Sequence, residues 1–91
     1  MPYLDAYSLE LTRGEKLTAA LMAKGLKNVE IARELGISPR AITARLQHIY
    51  FKISGLDGLE LPEESWGSTE IRAKAVDFFK AHPKLYEDLP N

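Results

Sequence analysis

The fold of this chain is decided by residues 28–53, which read NVEIARELGISPRAITARLQHIYFKI. Gly36 stands where a first helix must end in the left-handed conformation, which glycine adopts without a Cβ clash. Ser38 then offers an N-cap side chain, and Pro39 suits the first position of a second helix because no N–H is needed there. The pattern predicts two helices joined by a corner of about three residues, the length of the turn in helix-turn-helix units.

The apolar residues on both sides of this corner agree with two packed helices. Ile31 and Leu35 lie one turn apart on the first helix, which we expect Asn28 to cap with its side chain. On the second helix, residues at helical spacing form one inward stripe: Ile42, Leu46, Ile49 and Ile53. An αα-corner that only packs a core is the alternative interpretation.

Upstream, the sequence predicts another helix from Thr12 to about Lys24. Thr12 and Glu15 have the spacing of a capping box, in which each side chain accepts the other residue's backbone N–H. Gly25 is expected to end this helix. Its predicted apolar face consists of Leu17, Ala20 and Leu21.

Together these residues resemble the LuxR-type (NarL/FixJ-like) DNA-binding domain. The resemblance covers residues 11–53 without a gap and is carried by Leu11-Thr12, Glu15, Gly25-Leu26, Asn28, Glu30-Ile31-Ala32, Leu35-Gly36-Ile37-Ser38-Pro39, Ile42, Leu46, Ile49-Tyr50 and Lys52. It implies an all-α, four-helix domain, with a last helix that commonly mediates dimerisation. The sequence departs from the family pattern at Val29, Ala41, Thr43 and Arg45. The preferred DNA site is therefore expected to differ from that of a typical relative.

Candidate base contacts come from the outward face of the second helix of the motif, the recognition helix. With the apolar stripe turned inward, steps of 100° per residue point Arg40, Ala44 and Gln47 outward, with Thr43 at one flank. In the major groove, arginine can read guanine, glutamine can read adenine, and a methyl group can contact the thymine methyl. The predicted base contacts are Arg40, Thr43, Ala44 and Gln47, and a solvated charge is the alternative for Arg40.

A second set of residues is predicted to contact the DNA backbone. Lys24 and Lys27 flank the turn before the first helix of the motif, whose free N–H groups favour a phosphate. Two solvated lysines are the alternative there, as is a solvated charge at Arg45. The predicted set is Lys24, Lys27, Asn28, Ser38, Arg45 and His48.

Residues 55–68, GLDGLELPEESWGS, form a connector that is longer than the resemblance implies. Its Leu56, Leu59, Leu61 and Trp66 are too apolar for a free linker, so we expect it to fold back on the body. Phe51 falls on the outward face of the recognition helix, and we expect it to be buried against the tail of the chain; contact with a partner is the alternative.

A last helix is predicted from Ser68 or Thr69 to about Ala81. One of its apolar stripes can close the core, while a second stripe on so small a domain favours a partner surface. The predicted dimerisation residues are Ile71, Ala75, Val76, Phe78 and Phe79. In the alternative, the connector buries both stripes. Leu85, Tyr86 and Leu89 are expected to dock the acidic tail.

Length and composition predict one domain, residues 1–91, with a helix-turn-helix core at 11–54, the connector at 55–68, and a helix and tail at 69–91. The chain has no cysteine, no apolar run of membrane-spanning length and no signal-peptide pattern. We therefore expect a cytoplasmic protein. The net charge is −1, but residues 12–54 carry +5 and residues 55–91 carry −4, which agrees with a locally basic phosphate-binding face.

The sequence does not favour an enzyme, a metal centre or a cofactor. His48 and His82 are far apart and have no cysteine partner, and no Ser-His-acid motif is present. From the helix-turn-helix spacing, the +5 charge of residues 12–54 and the apolar last helix, we expect a sequence-specific, double-stranded DNA-binding transcriptional regulator that acts as a dimer. The alternative is a protein-interaction module that binds and inhibits a transcription regulator or RNA polymerase. Because only ten residues precede the domain, control is expected from abundance, dimerisation or a partner protein.

Overall fold

A computed structural model describes residues 10–87, and this part of the chain is helical with no strand. Its α-helices are α1 (Arg13–Ala23), α2 (Asn28–Leu35), α3 (Pro39–Ile53) and α4 (Thr69–Ala81). Short 3-10 turns lie at Leu56–Gly58, Glu63–Ser65 and Pro83–Leu85. The predicted all-α, four-helix fold with an extended connector before the last helix is confirmed.

The predicted capping box at the start of α1 is formed. The Thr12 hydroxyl accepts the N–H of Glu15 at 3.2 Å, and Glu15 Oε1 accepts the N–H of Thr12 at 2.8 Å. The buried face of α1 differs from the prediction, because it consists of Glu15, Thr18, Ala19 and Met22, while Leu17, Ala20 and Leu21 are half-buried. The face is rotated because Glu15 and Thr18 satisfy their polar atoms by hydrogen bonds and can therefore be buried.

The helix-turn-helix corner forms as its sequence predicts. Gly36 has a φ of 68°, in the left-handed region, and the N–H of Ile37 closes the end of α2 on the carbonyl oxygen of Ala32 at 3.0 Å. The Ser38 hydroxyl then accepts the N–H of Ala41 at 3.1 Å, and Pro39 occupies the first position of α3. Both helix ends are thus satisfied by residues within the corner itself.

The predicted N-cap of α2 is wrong by one residue. Lys27 has the extended backbone of an N-cap, and Asn28 is already the first residue of the helix. Since a lysine side chain cannot accept a hydrogen bond, the cap is the reverse half of a capping box, in which Glu30 Oε1 accepts the N–H of Lys27 at 2.7 Å. The Asn28 side chain is therefore available for a contact elsewhere.

The core lies between the four helices. The predicted stripe of α3 is buried, and Ile31 and Ala32 of α2 are buried against it. Helix α4 packs along α1 and contributes Phe79, which has no exposed surface. The core residues of α3 and α4 are Ile42, Leu46, Ile49, Tyr50, Ile53, Ile71, Ala75, Phe78 and Phe79.

The connector folds back on the body, as predicted. Leu56 and Leu61 are buried, and the ring of Trp66 meets that of Tyr50 edge to face, with centroids 6.0 Å apart. Trp66 Nε1 donates to the Leu61 carbonyl oxygen at 2.9 Å. The connector is therefore anchored along the side of α3.

The connector is also tied to the end of α4. His82 Nε2 lies 3.0 Å from Asp57 Oδ2, and His82 Nδ1 lies 2.9 Å from the Phe78 carbonyl oxygen. Beyond α4, Leu85 is buried and the Tyr86 ring packs against Phe79, as expected for the tail; Leu89 lies outside the described residues.

Candidate DNA-binding surface

The outward face of α3 carries the predicted base-contacting residues. Because Ile42, Leu46 and Ile49 turn inward, this face is solvent-exposed along the helix. Its exposed residues include Arg40, Ala41, Thr43, Ala44, Gln47 and His48. One helical surface therefore holds an arginine, an amide and small apolar side chains, which are the groups that read base edges in a major groove.

Thr43 differs from its neighbours because its hydroxyl is used within the helix. Thr43 Oγ1 donates to the Pro39 carbonyl oxygen at 3.2 Å. This bond occupies the hydroxyl proton and leaves the oxygen lone pairs and the methyl group for other contacts.

Arg45 lies on the side of α3 that faces α1 and is half-buried. Its Nη1 donates to Thr18 Oγ1 at 3.4 Å and to the Gly14 carbonyl oxygen at 3.5 Å. The side chain predicted to contact the DNA backbone is thus held against α1, away from the exposed face of α3. It supports the packing of the recognition helix.

A partly buried ion pair joins the end of α3 to the start of α1. Lys52 Nζ donates to Glu15 Oε1 at 2.6 Å, and the two side chains are 32% and 6% exposed. Burial alone would raise the pKa of Glu15, but hydrogen bonds from Lys52 and Thr12 and the positive charge of Lys52 together lower it. Glu15 therefore stays ionised and holds α3 against α1.

The remaining predicted backbone contacts lie close to the N-termini of α2 and α3, except His48, which lies further along α3. Lys24, Lys27, Ser38 and His48 are exposed, and Asn28 is half-buried. Lys24 and Lys27 stand on either side of the turn before α2. Two exposed lysines thus stand beside the positive end of α2.

Asn28 has a partner that the sequence did not indicate. Its Oδ1 accepts a hydrogen bond from Arg72 Nη1, and Arg72 Nη2 donates to the Leu26 carbonyl oxygen at 2.5 Å. The contact joins α4 to the start of α2 across 44 residues of sequence. Local patterns carry no signal for such a pair.

Residues 9–55 match the protein family described as bacterial regulatory proteins, luxR family. The chain belongs to the luxR family. The predicted resemblance over residues 11–53 is confirmed.

Curated relatives of this luxR-family chain come from mycobacteria. Proteins of Mycobacterium bovis and Mycobacterium tuberculosis, provisionally named HTH-type transcriptional regulators, are each 34% identical to it over 55 residues. The match covers 60% of this chain but only 6% of each relative, so the chain corresponds to a small part of their length. No solved structure matches significantly.

The predicted dimerisation residues of the luxR-family domain lie mostly in its own core. Ile71, Ala75, Phe78 and Phe79 are at most 6% exposed, and only Val76 is half-buried. The assignment of these four side chains to a free partner surface is therefore wrong. The alternative is that the connector buries both stripes. The structure agrees with it in part, since Leu56 and Leu61 of the connector belong to the same buried cluster, but α4 mainly packs on α1.

Two large apolar side chains remain exposed on the helix-turn-helix of this luxR-family domain. Phe51 on α3 is 75% exposed and Val29 on α2 is 57% exposed. The expectation that Phe51 is buried is wrong, because the connector packs Trp66 against Tyr50, on another side of α3. Among the described residues, no helix has the length and apolar character needed to cross a membrane.

Proposed function

We propose that this luxR-family chain binds double-stranded DNA in a sequence-specific manner and regulates transcription. The observation that carries the proposal is the exposed face of α3, which presents Arg40, Ala44 and Gln47 beside a helix-turn-helix corner. A helix-turn-helix domain places the N-terminal part of its second helix in the major groove, where these side chains meet base edges.

The residues proposed to contact bases would cover a short segment of DNA. Arg40 and Gln47 are seven residues apart on α3. At about 1.5 Å per residue they are separated by roughly 10 Å along the helix, which is comparable to about three base pairs. We propose that Arg40 reads guanine, that Gln47 reads adenine, and that the Ala44 and Thr43 methyl groups contact thymine methyls.

The backbone contacts in this proposal come from Lys24, Lys27, Ser38 and His48, together with the N-terminus of α2. These groups neutralise phosphates and set the register of the domain without reading sequence. Arg45 is left out because its guanidinium is held against α1.

We further propose that two copies bind a two-fold-symmetric site whose half-sites lie about one helical turn apart. Since the apolar stripes of α4 are used inside each protomer, the two copies would associate on DNA and stay monomeric in solution. The exposed side of α4 is polar and holds Glu70, Lys74, Asp77 and Lys80. Such a mixed-charge face is typical of a solvated helix and not of an obligate interface. Sedimentation of the free protein should give the monomer mass, and titration with a palindromic duplex should give two chains per duplex.

The test of DNA recognition is selection from a random duplex library, followed by affinity measurements at several salt concentrations. Enrichment of a symmetric motif, with affinity that falls steeply as salt rises, is the expected result. Arg40→Ala should weaken binding to the selected site by about 1–3 kcal/mol and relax the preference at one position. Arg33→Ala is the matched control, because it removes the same charge from an exposed position on α2. A library with no enriched motif would contradict the proposal.

A protein-interaction module is the second candidate function, and the exposure of Phe51 favours it. In that case the chain would bind a transcription regulator or RNA polymerase and inhibit it. Capture of such a partner should be lost in Phe51→Ser and kept in Arg40→Glu. The DNA-binding proposal predicts the opposite result for DNA affinity. Arg40→Glu should abolish binding, because it places a negative charge against the duplex, and Phe51→Ser should leave binding unchanged.

A further inference from the structure

Arg72, in the first turn of α4, points its guanidinium away from its own helix and toward the helix-turn-helix. One nitrogen donates to Asn28 Oδ1 and the other donates to the Leu26 carbonyl oxygen at 2.5 Å. Leu26 lies in the turn before α2, and Asn28 is the first residue of α2. A single planar group therefore holds both sides of the point where α2 begins.

Arg72 also lies beside the recognition helix. Arg72 and Tyr50 of α3 line the same groove, and Tyr50 is only 3% exposed. Burial raises the pKa of Tyr50 while the nearby charge of Arg72 opposes that rise, so the phenol stays neutral. Arg72 of α4 thus bonds the start of α2 and lies beside Tyr50 of α3.

These contacts lie at the edge of the proposed DNA-binding surface. Arg72, Asn28 and Tyr50 line an open groove of about 250 Å³, and Thr43 and Gln47 of the recognition helix line the same groove. The end of the connector, at Trp66, forms its far side. A shift of the start of α2 would therefore break the hydrogen bonds of Arg72 to Asn28 and to the Leu26 carbonyl oxygen.

The local electrostatic potential does not favour an arginine at position 72. Arg72 lies near the N-termini of both α2 and α4, which are the positive ends of helix dipoles and disfavour a cation. The hydrogen bonds must offset this cost. Their geometry requires a planar group with several donors, which lysine does not provide.

We propose that Arg72 is a positioning residue for DNA binding, which fixes the start of α2 beside the recognition helix through Asn28 and the Leu26 carbonyl oxygen. The inference rests on the proposed function, because a helix-turn-helix must place α2 on the phosphates while α3 lies in the groove. The connector also contributes to this arrangement. Helix α4 begins where the connector ends, so the connector sets the place of Arg72 beside the start of α2.

The test compares Arg72→Lys and Asn28→Ala, alone and combined, with Lys74→Ala as the control. Arg72→Lys keeps the charge and loses the two-acceptor geometry, and Lys74→Ala removes a charge from an exposed position of the same helix. All four variants should keep the helical circular dichroism of the wild type. Arg72→Lys should lower affinity for the selected duplex by about tenfold, which corresponds to about 1.4 kcal/mol, and Lys74→Ala should change it by less than about twofold.

The combined variant distinguishes positioning from a direct phosphate contact. If Arg72 acts through Asn28, adding Asn28→Ala to Arg72→Lys should cost less than it does in the wild type, because the interaction is already lost. If Arg72 touches a phosphate itself, Arg72→Lys should retain affinity and the two changes should add. That second outcome would overturn the proposal.

An amide spectrum of the free protein separates this inference from the proposed function. Arg72→Lys should shift the signals of the Asn28 backbone and side-chain amides, while Lys74→Ala should leave them unchanged. Failure of the wild type to bind any duplex would remove the proposed function, and the spectrum would still decide whether Arg72 positions α2. Unchanged Asn28 signals in Arg72→Lys would reject the positioning role whatever the DNA result.

Discussion

Lys52→Met should destabilise the domain by about 2 kcal/mol, because it leaves the Glu15 carboxylate buried without its counter-charge. Removing one partner of a fully buried ion pair costs about 3–5 kcal/mol, and removing one from an exposed pair costs at most about 1 kcal/mol. This pair lies between the two cases, since the Glu15 side chain is 6% exposed and the Lys52 side chain is 32% exposed. The Nζ–Oε1 distance of 2.6 Å places the cost above that of an exposed pair, and the partial exposure of Lys52 keeps it below that of a fully buried one.

Glu15→Gln provides the matched comparison. Glutamine can still accept the N–H of Thr12 in a capping box, and Lys52 can turn toward solvent. The cost of Glu15→Gln should therefore be about 1 kcal/mol, smaller than that of Lys52→Met. In the Glu15→Gln background, Lys52→Met should cost little, because no buried charge remains.

The pH dependence of the Lys52→Met effect follows from the lowered pKa of Glu15. A carboxylate whose pKa is lower in the folded state adds stability above its ordinary value of 4.5, and that stability is lost as the pH falls through the folded pKa. Lys52→Met removes the main favourable partner of the charge. The difference in the free energy of unfolding between wild type and variant should therefore be largest at neutral pH and should shrink below pH 4.5.

Thermal unfolding followed by circular dichroism measures both effects. For a domain of this size, 2 kcal/mol corresponds to a fall in Tm of about 10 °C. An unchanged Tm at neutral pH would show that the pair contributes nothing. An equal difference at neutral and acidic pH would show that the variant acts through packing, and the ion-pair reasoning would be wrong.

The remaining predictions concern the corner, the connector and the charge beside α3. Gly36→Ala should lower the free energy of unfolding by about 1 kcal/mol, because the φ of 68° is strained for alanine although no atom lies within 4 Å of the new methyl group; urea titration measures it. Trp66→Phe should cost about 1 kcal/mol in the same assay through loss of the 2.9 Å bond to Leu61, and an unchanged midpoint would count against that bond. Replacing Glu63 and Glu64 by glutamine should raise DNA affinity about twofold to fivefold at low salt and have no effect at high salt, since both carboxylates lie in the exposed turn before Trp66. A gain that persists at high salt would exclude an electrostatic cause.

The helix ends were predictable because their causes are local. Ser38 and Ser68 each accept an N–H three residues onward, and Gly36 adopts the backbone conformation that ends α2. These interactions depend on a few consecutive residues, so the sequence determines them before any tertiary contact forms. The same holds for the inward stripe of α3, whose spacing follows from the helical period.

The contacts that orient the candidate site were not predictable from local sequence. Lys52 meets Glu15 across 37 residues, and Arg72 meets Asn28 across 44 residues. Such pairs depend on the angles at which helices cross, about which periodicity says nothing. Asn28 shows the consequence, because the residue expected to cap α2 instead accepts a bond from α4.

Helix α4 explains why an apolar surface inferred from sequence turned out to be core. One buried cluster holds residues of all four helices, and α4, which packs on α1, adds Ile71, Phe78 and Phe79 to it. Each of these three side chains contributes about 1.5–3 kcal/mol by leaving water. Burial within one chain needs no loss of translational freedom, whereas burial between two chains costs at least about 4 kcal/mol for association. The same stripe therefore stabilises the protomer more than it would a dimer. If two copies bind DNA as proposed, the second copy would then be held by the duplex and not by this stripe.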